Sequence, residues 1–266
     1  MNRLDSTIAS LRESGRKALV GYITAGYPDM DSTVEIAEIF AKNGVDIIEL
    51  GIPFSDPMAD GPAIQAASQY ALDHGANLNK ILDAVTRIRK RTDVPLIFMS
   101  YMNPLFQGGF ERTVRAARAR GVDGFIIPDL IPEEAGTFSD ACRKHDASLI
   151  FLAAPNSSNE RMEAIDRASN GFVYVVSLTG VTGSRDLLSR DLEKFLGRTR
   201  KHITLHPGFL GFGISTPEHV AQVKAHVDGV IVGSAFISII RDAENVAERN
   251  ARLIRLVKSL RSALDR

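Results

Sequence analysis

Short apolar runs rich in β-branched residues alternate along this chain with longer amphipathic stretches, the pattern of a parallel sheet covered by helices. The runs Ala18–Thr24, Asp46–Gly51, Pro95–Tyr101, Gly124–Asp129, Ser148–Ala153, Gly171–Ser177, Ile203–Phe209 and Gly229–Val232 predict eight strands. Between them apolar residues recur at helical spacing, as in Leu78, Ile81, Leu82, Val85 and Ile88, in Phe138, Ala141 and Cys142, and in Leu253, Leu256, Val257, Leu260 and Leu264. The stretch from Leu4 to Leu11 predicts a further helix ahead of the first strand. Ser32 before Ile36, and Thr216-Pro217 before Val220, read as helix starts. Strands recurring about every 33 residues, each followed by a helix, fit an α/β fold of the closed (β/α)8 type, a TIM barrel, with an extra N-terminal helix. An open doubly wound sheet could hold as many strands and stays the alternative. No linker or low-complexity segment divides the chain, so residues 1–266 read as a single TIM-barrel domain.

Charge and composition narrow the chemistry. Thirty-two Lys and Arg balance thirty-two Asp and Glu, so bulk electrostatics offers no attraction to nucleic acid or to an anionic membrane. Any anion must be held locally. The longest clean apolar stretch, Gly229 to Ile240, is too short to cross a bilayer, and the N-terminus has no apolar leader-like region. The single cysteine, Cys142, cannot form an internal disulfide, which suits a reducing compartment and a cytoplasmic location. It falls on an apolar helical stripe and reads as a small buried hydrophobe.

In a barrel the chemistry belongs at the C-terminal ends of the strands and in the loops beyond them. Glu49 stands there, in a strand otherwise made of Ile and Leu, with Asp46, Asp56 and Asp60 around it. If it faces the interior, desolvation raises its pKa toward neutrality, which poises a carboxyl for proton transfer. The alternative is a structural pair with a barrel Lys or Arg, with Asp60 capping the helix that begins near Gly61-Pro62. Three glycine-rich segments follow the sixth, seventh and eighth strands: Thr179–Ser184, Gly211–Ser215 and Val232–Ala235. None contains Lys or Arg, so a phosphate there would be held by backbone amides, hydroxyls and a helix end. Any one segment alone reads better as a tight strand-to-helix turn, but three in the last quarter of the barrel favour a phosphate site.

Together, Glu49-Leu-Gly-Ile-Pro-Phe-Ser-Asp-Pro-Met-Ala-Asp-Gly-Pro62, Gly180-Val-Thr-Gly183 and Gly211-Phe-Gly-Ile-Ser215 resemble the tryptophan synthase alpha chain family, over nearly the whole chain. The resemblance implies a lyase that cleaves indole-3-glycerol phosphate to indole and glyceraldehyde 3-phosphate in tryptophan biosynthesis. It implies Glu49 as general acid and base, and Asp60 as hydrogen-bond partner of the indole N–H. By the same resemblance Gly183, Gly213, Gly233 and Ser234 hold the phosphate, Thr182 sits in a closing loop over 179–190, and Tyr22, Met99, Tyr174 and Phe212 line the substrate. Tyr22 stands where a phenylalanine is expected, and Ile131 where many members place a proline. The implied partner is a beta chain in an alpha2beta2 heterotetramer, with pyridoxal phosphate only in that partner and no cofactor in this chain. The loops Pro53–Met58 and Met102–Phe106 match the family's contacts with it, although Leu105 and Phe106 could instead pack on their own barrel. A standalone lyase, another phosphosugar enzyme, and a barrel acting mainly as an allosteric subunit are the competing readings.

Other polar groups read as structural. His202 and His206, if both lie in a strand, are about 13 Å apart and cannot share a metal. Arg87 to Arg91 and the arginines from Arg112 to Arg120 interleave with apolar helix positions and read as solvated helix faces.

Overall fold

The computed structural model describes residues 2–106, 108–177, 189–211 and 213–266. Nine parallel strands lie in one sheet: β1 (Ala18–Thr24), β2 (Ile47–Gly51), β3 (Leu96–Met99), β4 (Gly124–Ile126), β5 (Ser148–Ile150), β6 (Leu152–Ala153), β7 (Val173–Val176), β8 (Gly208–Gly211) and β9 (Gly229–Val232). The hydrogen-bonded order is β5-β4-β3-β2-β1-β9-β8-β7-β6. Its two ends are consecutive in the chain, separated only by Phe151, so the sheet curls into a barrel that closes on itself. The expected fifth strand is therefore two pieces. The Phe151 amide leaves the ladder for the Ser169 hydroxyl at 3.3 Å, while its carbonyl accepts from Tyr174 N–H at 3.0 Å.

Helices α1 (Arg3–Glu13), α2 (Met30–Asn43), α3 (Pro62–Asp73), α4 (Leu78–Arg89), α5 (Met102–Phe106), α6 (Phe110–Arg120), α7 (Gly136–Lys144), α8 (Asn159–Ala168), α9 (Arg190–His202), α10 (Pro217–Val223), α11 (Ser234–Asp242) and α12 (Val246–Asp265) surround it. Their apolar faces meet the outward side chains of the strands. Phe98 and Phe125 pack edge to face, and Phe125 packs in the same way on Phe138 of α7. Cys142, on the same helix, is buried, and burial pushes its thiol up to about 12.

Two expectations are corrected. The start of α2 is capped by Asp29, whose carboxylate accepts from Ser32 N–H at 2.6 Å, and Ser32 lies inside the helix. Asp29 is the better acceptor because an ionised carboxylate takes the first-turn amide more strongly than a hydroxyl does. The seventh strand position runs from Gly208 to Gly211, not from Ile203 to Phe209. The buried Asp166 carboxylate accepts the amides of Thr204, Leu205 and His206 at 2.6, 2.8 and 3.1 Å, which removes them from any ladder. His202 consequently ends α9 on Glu163, and His206 pairs with Asp166. Thr216 caps α10 as expected, with Pro217 in its first turn.

The base of the barrel is tied by a second buried carboxylate. Asp123 takes the Leu96 amide at 3.0 Å and ion-pairs with Arg3, Arg89 and Arg118 at 3.3, 2.7 and 3.1 Å.

Candidate active site

Register decides which side chains share the interior. Tyr22 of β1, Glu49 of β2 and Ile97 of β3 are cross-strand partners, so they project to the same face. One step toward the C-terminal mouth, Thr24, Gly51 and Met99 are likewise partners. Across the barrel, Tyr174 of β7 pairs with Phe209, and Val176 with Gly211. Two glycines make room for two phenols. A Cβ on Gly51 would stand 2.1 Å from the Tyr22 hydroxyl, and one on Gly211 would stand 2.2 Å from that of Tyr174.

Glu49 is 1% exposed, and among the described residues neither carboxylate oxygen has a hydrogen-bond partner. Burial, reinforced by the charge of Asp60, raises its pKa to about 8. The sequence alternative of a Lys or Arg partner is not found among the described residues. Asp60, in the loop after β2, is raised to about 6 by burial, opposed by a hydrogen bond from Tyr101. Two carboxyls thus sit at one mouth, Glu49 buried and Asp60 partly so, one neutral and one ionised at pH 7. That separation is the electrostatic signature of an acid and base pair.

Tyr101 and Thr24 are functional candidates that sequence reasoning missed. The Tyr101 hydroxyl donates to Asp60 Oδ2 at 3.3 Å and accepts from Ala59 N–H at 2.9 Å, so it fixes both the carboxylate and the loop. Burial and the Asp60 charge hold that phenol well above its ordinary pKa. The Thr24 hydroxyl lies 3.2 Å from that of Tyr22. Two-residue alternation in the first strand could have pointed to Thr24; nothing local points to Tyr101.

Met99 is buried at the end of β3. Gly213, with φ 78°, occupies the left-handed region that favours glycine. Gly233 immediately precedes α11 and Ser234 opens it; the Phe236 amide already donates to the Gly233 carbonyl at 2.9 Å, which leaves those of Ser234 and Ala235 at the turn between β9 and that helix. Thr182, Gly183 and Phe212 lie outside the described residues, as does most of the 179–190 loop. Among the described residues no group of three His, Cys, Asp or Glu is placed to hold a metal ion.

Beside the acid loop, Met58 is 88% exposed and Phe106, on α5, is 61% exposed, whereas Leu105 is fully buried in its own barrel. The Asp129 carboxylate accepts from the Met102 amide at 3.0 Å, joining the loop after β4 to the start of α5.

Comparison with known proteins places these features in a family. The family model described as tryptophan synthase alpha chain matches residues 8–265. A curated tryptophan synthase alpha chain from Geobacter sulfurreducens is 45% identical over 264 residues, covering 99% of each chain. One from Roseiflexus castenholzii is 45% identical over 262 residues, covering 97% of this chain and 100% of that one. The crystal structure of tryptophan synthase subunit alpha from Legionella pneumophila superposes with TM-score 0.90 at 40% identity, over 100% of this chain and 99% of that chain.

Proposed function

The chain belongs to the tryptophan synthase alpha chain family, and from that premise we propose how its residues divide the work of the family's reaction. The reaction is cleavage of indole-3-glycerol phosphate to indole and glyceraldehyde 3-phosphate, and the chain is a carbon–carbon lyase. The observation that carries the assignment is the pair of carboxyls with separated proton affinities, Glu49 near 8 and Asp60 near 6.

Neutral Glu49 delivers its proton to C3 of the indole. Positive charge then develops at the ring nitrogen, and ionised Asp60, steadied by Tyr101, accepts a hydrogen bond from that N–H. Glu49, now a carboxylate, takes the proton of the hydroxyl on the adjacent chain carbon. That oxygen becomes the aldehyde carbonyl as the carbon–carbon bond breaks, its electrons return to the ring, and Glu49 is again neutral. One proton given and one recovered leaves the residue unchanged after each turnover. With no fixed hydrogen bond on either oxygen, Glu49 gives up no protein contact to change state.

The phosphate is assigned to Gly213, Gly233, Ser234 and the N-terminal amides of α11, with Gly183 as the family's further contact. Tyr22, Met99 and Tyr174 wall the ring and chain. A beta chain is the expected partner, in an alpha2beta2 assembly, with pyridoxal phosphate held only there. Met58 and Phe106 offer it an apolar face beside the acid loop. Among the described residues no helix is long and apolar enough to cross a membrane, and a cytoplasmic location fits that property. The whole chain is read as one domain.

The test is indole release by the purified chain, with and without a beta chain. Glu49→Gln should lower the rate by about 10²–10⁴ while the fold is retained. Normal turnover in that variant would overturn the assignment.

A further inference from the structure

We propose that the paired hydroxyls of Tyr22 and Thr24 recognise a hydroxyl on the three-carbon chain that joins the substrate's phosphate to its ring. The inference rests on the function proposed above and adds a specificity determinant to it.

Tyr22 spans an interval that matches such a ligand. Its base abuts the phosphate end: a Cβ on Gly233 would stand 3.3 Å from Tyr22 Cβ and 3.2 Å from Cδ1. Its tip reaches the acid strand, where a Cβ on Gly51 would stand 2.1 Å from the hydroxyl oxygen. Gly51 pairs with Thr24, two residues beyond Tyr22, so the ring leans toward the mouth as it crosses from β1 to β2. A ligand with its phosphate at Gly233 and its reacting carbon beside Glu49 must run alongside this ring. The part of the ligand between those ends is the chain that carries the hydroxyls, and the Tyr22 oxygen, at the tip of the ring, lies toward the Glu49 end of that chain.

The chemistry of the pair supports the same conclusion. Tyr22 and Thr24 are 4% and 0% exposed, and their oxygens lie 3.2 Å apart. Two hydroxyls carry two protons, and their mutual bond uses one. The second proton and the remaining lone pairs are left in a dry pocket, where a hydroxyl of the ligand can both donate and accept. A phenylalanine at position 22 would line the ring equally well and leave that polar contact out. Tyr22 therefore adds discrimination for a hydroxylated linker to a wall that would otherwise be apolar. Burial of Tyr22 itself, reinforced by the charges of Asp60, Glu49 and Tyr101, the titratable groups felt by this hydroxyl, keeps the phenol un-ionised.

The experiment compares two ligands on the full chain. One is indole-3-glycerol phosphate. The other is the phosphate ester of 3-(indol-3-yl)propan-1-ol, which keeps ring and phosphate and lacks both chain hydroxyls. In Tyr22→Phe, KM for the first should rise about five- to thirtyfold, while the Kd of the second, by titration calorimetry, stays within about twofold. Thr24→Val should repeat this split, and Thr24→Ser, which keeps the hydroxyl, should restore the KM. The analogue's Kd also reports that the site is formed, and Tyr22→Phe removes a single oxygen, so that variant decides the outcome. Equal loss for both ligands would mean a packing role, and an unchanged KM would mean no role; either overturns the proposal. If the unaltered chain neither cleaves the first ligand nor binds the second, the function proposed above falls as well. If it does both and Tyr22→Phe is neutral, only the hydroxyl assignment falls.

Discussion

Glu49 sets the pH behaviour of the protein in two separate ways. The proposed mechanism requires it protonated and Asp60 ionised, so kcat/KM should fall below about 6, as Asp60 gains a proton, and above about 8, as Glu49 loses one. A pH–rate profile checks both limbs, and Asp60→Asn should remove that carboxylate's share of the acid one. Stability runs the other way from the usual carboxylate. Between its unfolded value of 4.5 and its folded value of about 8, the native state holds a proton that the unfolded state has released. The sign is therefore negative: stability declines as pH rises through that window, and most of the loss is complete near 8. Glu49→Gln should melt higher than the parent at pH 8, and the gap should close toward pH 5, as thermal melts at the two values would show. Glu49 was legible in the sequence because a carboxylate among Ile and Leu demands an explanation. Tyr101 was not, because its value lies in a hydrogen bond to a residue 41 positions earlier, on another loop.

At the scale of elements, buried carboxylates decide where strands begin and loops stay open. The expected run over Ile203–Phe209 fails because Asp166 collects three successive amides, an interaction between α8 and a distant loop that periodicity cannot register. Leu205 is accordingly 59% exposed, although an apolar run suggests a core residue. The strands that were read correctly, such as Ala18–Thr24 and Gly229–Val232, are buried along their length, and the Asp46 carboxylate takes only the Leu19 amide of the first, at 2.8 Å, instead of three amides in succession. Asp123 performs the converse task at the base, holding three arginines and the Leu96 amide. Removing it strands the guanidinium groups of Arg89 and Arg118, which are largely out of water. Asp123→Ala should destabilise the fold by about 3–5 kcal/mol, measured by urea denaturation, with kcat of the folded protein unchanged. The separation follows from position, since the base carries stability and the mouth carries chemistry.

At the scale of the whole molecule, the balanced charge fits a phosphate site assigned to amides and a helix end, and the face proposed for the partner adjoins the acid loop. Phe106 stacks obliquely on Phe110, with ring centroids 5.1 Å apart, and shows the rest of its surface to solvent. Phe106→Ser should weaken beta-chain binding about tenfold while turnover of the isolated chain is preserved, as pull-down titration and an indole assay would show. The barrel's closure has its own dynamic consequence. Among the described residues seven of the nine strands pair on both sides, while β5 and β6 each pair on one side and meet at Phe151, whose amide donates to the Ser169 hydroxyl. Deuterium should enter the sheet first at that amide, and Ser169→Ala should hasten its uptake ahead of the β1 and β2 amides. A closed cylinder with one such seam has a preferred place to breathe, and that place lies on the wall away from Glu49, so the proton-transfer centre can stay rigid while the sheet relaxes elsewhere.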